Sequence, residues 1–160
     1  MKNLDLNSAM NYILYCLSIK MYTKKELSDK LKKKNYSDEI ISEALNSLEE
    51  NGIINDYDYA FAYLHDNLNI KAKGLFRIKQ ELYLKGISRE VVETVISENT
   101  ADTLAPLMDY VRLRYGEDCT MPQKEFEKAK AHLIRRGFSA SEIRQCFENL
   151  SIKANWSEEF

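Results

Sequence analysis

The sequence is short of residues that break or cross-link a chain. Its 160 residues include 2 Pro, 5 Gly, 3 Cys and 1 Trp. So few breakers argue against a loop-rich or low-complexity fold. The three cysteines, Cys16, Cys119 and Cys146, are odd in number and widely spaced, which speaks against a disulfide framework or zinc site and for a reducing compartment. His65 and His132 stand at no metal-ligand spacing and read as ordinary helix residues. Long apolar runs are also missing. The stretch from Met10 to Ile19 is interrupted by Asn11 and Ser18, is too short to cross a membrane and has no signal-peptide cleavage pattern. A soluble, cytoplasmic protein without membrane contact is expected.

Chemistry-bearing motifs are missing too. No G-x-x-x-x-G-K-[ST] phosphate loop and no G-x-S-x-G elbow occurs. The acid pairs Glu49-Glu50 and Glu158-Glu159 are adjacent and cannot share a helix face. The cysteines read as core, since no local Cys-His pattern supports a nucleophile. No cofactor, no metal and no enzymatic activity are expected. A positive excess is absent as well: 23 Lys and Arg face 25 Asp and Glu, for a net charge of −2. This excludes a uniformly basic nucleic-acid binder but not a locally basic face.

What is present is helix-forming. Hydrophobic residues make up 44%, enough for a core, and Leu, Lys, Glu and Tyr are abundant. No period-two run of β-branched residues occurs, so no sheet is predicted. A spacing of 51 residues recurs. It aligns Asn35-Tyr36-Ser37 with Gly86-Ile87-Ser88 and with Gly137-Phe138-Ser139. It also aligns Leu31, Leu82 and Leu133; Ile41, Val92 and Ile143; Leu45, Ile96 and Phe147; and Ala9, Ala60 and Val111. The pattern predicts an all-α chain of three tandem three-helix repeats over residues 8–54, 55–100 and 101–150, followed by a tail, 151–160, that carries Trp156 and Phe160.

The helix signals follow this register. Residues 8–20 form an apolar first helix with Met10, Ile13, Leu14 and Leu17. Thr23 with Glu26 is a capping-box pair ahead of Leu27 and Leu31. Ser37 and Ser88 stand as N-caps before apolar stripes, and Asn51-Gly52 is a stop. Asp56 opens a helix that Gly74 breaks. Tyr110, Val111, Leu113 and Tyr115 precede a break at Gly116, and Pro122 suits a first helical turn. Helices this short are marginal alone and must bury their stripes against one another.

Charge is sorted by helix. Residues 20–36 carry seven Lys and two acids, residues 71–90 six basic residues and two acids, and residues 124–136 five and two. Residues 38–58 hold seven acids and residues 90–109 five, with no Lys or Arg in either. Each basic run taken singly reads as a solvated helix face. Recurrence at one place in every repeat raises the alternative, a basic surface that attracts phosphates or an acidic protein. Tyr22, Tyr36 and Tyr83 offer either stacking area or half-buried packing.

Asn55-Asp56, Tyr59-Ala60 and Tyr63, then Gly74, Arg77-Ile78, Glu81-Leu82 and Lys85-Gly86-Ile87, resemble the central signature of RecX regulatory proteins. Arg135-Arg136-Gly137-Phe138-Ser139 is similar to that family's C-terminal signature. Leu75 stands where the family often has Pro. The resemblance covers residues 8–150. It implies an elongated, curved array of three repeats and a non-enzymatic modulator that binds the RecA–single-stranded-DNA filament, inhibiting ATP hydrolysis and strand exchange. Some members also bind DNA directly. On this footing the candidate filament contacts are Lys24, Lys25, Lys32, Lys33, Lys34, Lys73, Arg77, Lys79, Lys85, Arg135 and Arg136. Asp56, Ala60, Tyr63, Gly74, Ile78, Leu82, Gly86, Gly137 and Phe138 carry the resemblance as structural residues, with Asp56 read as a helix start and the glycines as turns. A monomer is expected. The rival readings are an independent DNA-binding module and a helical scaffold for another protein.

Overall fold

A computed structural model describes residues 4–100 and 102–155. Trp156 and Phe160 lie outside these residues. Nine α-helices occur among them. They are α1 (Leu6–Ile19), α2 (Lys24–Lys33), α3 (Asp38–Glu50), α4 (Asp56–His65), α5 (Leu75–Leu84), α6 (Arg89–Asn99), α7 (Leu104–Tyr115), α8 (Gln123–Arg135) and α9 (Ala140–Asn149). A π-helical turn, Asp66–Ile70, prolongs α4. No helix among the described residues is long and apolar enough to cross a membrane.

The chain forms two compact units. One comprises the chain up to Ala62 together with Leu82–Glu98; the other comprises Tyr63–Glu81 and the chain from Asn99 onward. The dividing points fall inside α4 and α5, so residues 55–100 contribute to both. In the first unit Ala9, Ile13, Leu27, Leu31, Ala44 and Leu48 are buried in one apolar cluster. In the second, Leu107, Val111, Leu133, Phe138, Ile143 and Phe147 do the same. Each Leu, Ile, Val or Phe side chain among them contributes about 1.5–3 kcal/mol on burial.

The apolar positions aligned by the 51-residue spacing outside the turn triplets are all buried. Leu31, Leu82 and Leu133 are each fully inaccessible, as are Ala9, Ala60 and Val111. The turn that follows is also the same three times. The amides of Tyr36, Ile87 and Phe138 donate to the carbonyls of Leu31, Leu82 and Leu133, and the preceding residues, Asn35, Gly86 and Gly137, have positive φ. This is the Schellman ending, which satisfies the last helical carbonyls. Ser37, Ser88 and Ser139 then accept from the amides of Ile40, Val91 and Glu142, opening the next helix. Thr23 and Glu26 close the predicted capping box on α2.

Several expectations are corrected. A sheet is present: β1 (Cys119–Pro122) pairs in parallel with β2 (Ile152–Asn155), Cys119 opposite Ile152. Strands of four residues carry too little alternation to read locally, and their partners lie 33 positions apart. Residues 152–155, expected in a tail, are therefore part of the second unit, with Ile152 buried in its core. Pro122 ends β1 and stands as the residue before α8 rather than in its first turn. The first helix begins at Leu6, two residues early, because the Asp5 carboxylate caps the Ser8 amide at 2.8 Å. Of the residues before the Gly116 break, Val111 is buried and Leu113 is 91% exposed.

Gly74 is the most informative correction. It is not the terminator of α4, which the π turn extends to Ile70, nor does it take a positive φ. Its backbone lies directly against a second glycine. The Gly74 amide donates to the Arg136 carbonyl at 2.8 Å, and Phe76 donates to that of Gly137. A Cβ on Gly74 would stand 2.1 Å from the Gly137 carbonyl carbon. The first unit has the same junction at the same offset: the Thr23 hydroxyl donates to the Lys85 carbonyl at 2.7 Å, and Gly86 lies against the Lys25 stem. Gly74→Ala should therefore cost about 3 kcal/mol or more by overpacking. Gly52→Ala, where a Cβ meets nothing but φ is +74°, should cost only about 1–2 kcal/mol. Urea midpoints of the two variants check the order.

Candidate functional site

In the first unit the cations cluster on α2. Leu27 and Leu31, one turn apart, turn inward, which leaves Lys32 and Lys33 exposed at the C-terminal end, where they complement the helix dipole. Both are without an ion pair among the described residues. Lys34 lies over Tyr12, 4.6 Å from the ring centre. Lys24 is committed elsewhere: its ammonium bonds Asn46 and Glu49. Lys25 is exposed, but its stem packs on Gly86. Lys85 sits over Tyr59 at 5.9 Å. Lys24, Lys25 and Lys32 line a groove between α2 and α3 that also holds Asp29, Asp38 and Asp56, so it has no single sign of charge.

Asp56 is not only a helix start. Asn55 caps α4 by accepting from Asp58 at 3.2 Å, while the Asp56 carboxylate accepts from the Lys24 amide at 3.0 Å and so helps open α2. Burial pushes its pKa above the usual aspartate value, against the pull of that amide, and Glu49 and Glu26 add to the rise. Tyr22 and Tyr36 pack on the first core, Tyr36 bonding Ser8 at 2.9 Å, and Tyr83 is half-buried. The packing reading holds for all three.

In the second unit Glu81 gathers the candidates. It accepts from Tyr63, from Lys73 at 3.0 Å and from Arg77 at 3.1 Å. Burial alone would raise its pKa, but these three donors together hold it below the usual glutamate range. One carboxylate thus serves both Lys73 and Arg77 and offsets one of their two charges. Lys79 is half-buried and unpaired among the described residues, and Arg135 is exposed and unpaired. Arg136 is a latch. Its guanidinium donates to the Ala72 carbonyl at 3.0 Å and to that of Lys71, and stacks over Tyr110 at 4.5 Å. Ile78, Leu82 and Phe138 are core.

Sequence reasoning named Arg135 but not the cationic group that the fold gathers around it. Arg114, Lys128, His132 and Arg135 line one groove of about 620 Å³ between α7, β1 and α8. His132 shares a 2.7 Å hydrogen bond with the Tyr110 hydroxyl. No cluster able to hold a metal exists among the described residues. Burial pushes the Cys146 thiol up to about 11, which keeps it protonated and inert.

The matches to known proteins follow this architecture. The first three-helix domain of RecX matches residues 9–48, and the second three-helix domain of RecX matches residues 55–96. A crystal structure of RecX from Lactobacillus salivarius superimposes with a TM-score of 0.77 at 30% identity, covering 92% of this chain and 97% of that one. The chain belongs to the RecX family. The regulatory protein RecX of Streptococcus sanguinis is 34% identical over 145 residues, 89% of this chain and 55% of the relative. That of Prosthecochloris aestuarii is 26% identical over 152 residues, 94% of this chain and 98% of the relative. The chain thus spans about half the length of the streptococcal RecX and nearly all of the other.

Two predictions separate structural from surface cations. Arg136→Ala should destabilise the chain by about 1.5–3 kcal/mol, since it leaves charge-assisted bonds unmade, whereas Arg135→Ala should stay within about 0.5 kcal/mol. Denaturant unfolding of both variants tests this. Glu81→Gln should cost about 2 kcal/mol near neutral pH. Because the folded-state pKa of Glu81 is lowered, its contribution is complete above 4.5 and fades as pH falls through the lower folded-state value. The gap between wild type and Glu81→Gln should therefore close in acid, as unfolding curves across that range will show.

Proposed function

We propose that this chain is a non-enzymatic regulator of the RecA recombinase. In this reading it binds the RecA–single-stranded-DNA filament in the cytoplasm and inhibits ATP hydrolysis and strand exchange. Family membership is the observation that carries the reading. The recurrence of one helix ending, one serine cap and one buried register at 51-residue spacing supports three tandem repeats as its contact modules. The cations bear on where contact is made. Lys24, Lys73, Arg77 and Arg136 are engaged within the chain and act as scaffold. Lys25, Lys32, Lys33, Lys34, Lys79, Lys85 and Arg135 remain the candidates for phosphate or acidic protein surface, with Lys32, Lys33 and Arg135 the foremost because they are exposed and unpaired among the described residues. A net charge of −2 opposes tight, uniform coating of free DNA and favours contact through local patches.

The test is ATP hydrolysis by a RecA recombinase on single-stranded DNA, titrated with the chain at fixed salt. Inhibition below one chain per RecA subunit is expected. The triple variant Lys32→Glu, Lys33→Glu, Arg135→Glu should weaken filament binding at least about tenfold and flatten the fall of log affinity with log salt, since fewer counterions are released. A folded triple variant that binds as well as wild type overturns the residue assignment. Absence of inhibition by the folded chain in excess overturns the function, and tight binding to naked duplex would put a DNA-binding module in its place.

A further inference from the structure

The strap that joins the π turn to α5, residues 71–74, is strained and is held by one side chain. Ala72 has a φ of +50°, in the left-handed region that disfavours residues with a Cβ. The π turn before it buries Asn67, whose side-chain oxygen accepts no hydrogen bond among the described residues. Such features persist only where the surroundings impose them. Here Arg136 imposes them. Its guanidinium donates to the Ala72 carbonyl at 3.0 Å and to that of Lys71, and its backbone carbonyl accepts from Gly74 at 2.8 Å. The same guanidinium lies over the Tyr110 ring at 4.5 Å, so it is held by neutral groups. His132 reaches that tyrosine too. Its Nε2 is 2.7 Å from the Tyr110 hydroxyl, and the two rings stack at 6.0 Å with 20° between their planes. We propose that His132 is the proton sensor of this strap: Arg136 clamps residues 71–74 while the imidazole is neutral and releases them when it is charged.

The charges around the ring decide which group yields. Tyr110 and Arg114 face it from α7, and Arg135 and Arg136 from the end of its own helix. Cys119 of β1 and Glu125 and Lys128 of α8 line the same groove, Glu125 being the one carboxylate among them. An imidazolium places a second cation on the tyrosine that Arg136 already occupies. Arg114 and Arg135 are exposed and can turn into solvent. Arg136 is half-buried between the tyrosine and the strap, so the added repulsion falls on the clamp. Burial lowers the His132 pKa, and Arg114, Arg136 and Arg135 lower it further. The closed strap therefore disfavours the proton, and opening returns the imidazole toward its ordinary value of 6.5. Closure is complete above 6.5 and is lost as pH falls through the lower closed-state value. Release also lets Ala72 leave the left-handed region, which gives the strap a second arrangement for the proton to favour.

The chain has two histidines, both in the second unit, and His65 is exposed beside Asp66. The first unit is therefore an internal control. The experiment is amide hydrogen exchange of the full chain from pH 7.5 to pH 5, each rate expressed as protection over the unstructured chain. The Gly74 amide, bonded to the Arg136 carbonyl, should lose at least about threefold in protection across this range, the equivalent of half a pKa unit. The Tyr36 amide, bonded to the Leu31 carbonyl in the first unit, should stay within about twofold. In His132→Gln the loss at Gly74 should vanish, and in His65→Gln it should remain. Constant Gly74 protection in the wild-type chain overturns the sensor. So does an equal loss at Tyr36, which marks unfolding of the whole chain, or a loss that His132→Gln retains. A loss that disappears in His65→Gln moves the sensor to the other histidine and overturns this one. The imidazole titration of the unaltered chain, followed by a carbon–proton correlation spectrum, needs no variant: a His132 pKa at or above 6.5 overturns the proposal.

Discussion

The junction that closes each compact unit is the constraint on which the other features rest. In one unit the Thr23 hydroxyl donates to the carbonyl of Lys85; in the other the Gly74 amide donates to the carbonyl of Arg136. Donor and acceptor shift by the same 51 positions in both. The contact requires a tight turn with positive φ on one side, supplied by Gly86 and Gly137. On the other side the first unit has Thr23, whose hydroxyl reaches across, and the second has Gly74, which leaves room by having no side chain at all. Helices of 10 to 14 residues are too short to persist alone. Their stability comes from stripes pressed together, and the junction sets the register in which the stripes meet.

That register divides the cations by role. A charge near the junction is drawn into it. Arg136 closes onto carbonyls left open where the π turn ends, and Lys73 and Arg77 are held by Glu81. A charge on a neighbouring face of a helix, such as Lys32, Lys33 or Arg135, forms no ion pair among the described residues and stays in solvent. Two adjacent arginines therefore have different work: Arg136 holds the fold and Arg135 faces outward. Under the filament-binding reading proposed above, this partition separates scaffold from surface.

The same logic accounts for the uncommitted groove in the second unit. There α7 and α8 bring basic residues together that lie up to 21 positions apart, and β1 supplies a wall that local sequence does not announce. The histidine at its centre bonds a tyrosine on which Arg136 also stacks. The junction and the groove thus share a side chain within one unit.

The sequence alone determined the helices, their caps and their endings. These depend on neighbours within four or five residues: Thr23 and Glu26, the serines at 37, 88 and 139, and the turn residues before them. It also determined the buried stripes, because burial follows helical period, and the family, because its signature residues are local. Tertiary structure alone decided the rest. The β1–β2 pairing joins four-residue strands 33 positions apart. Gly74 needs its small size for a backbone 63 residues away. Asp56 serves the amide of Lys24, and Glu81 holds Lys73 and Arg77, two cations that sequence counts as free. Each is a contact between distant segments, and a distant contact is set by how the stripes pack rather than by the residues beside it.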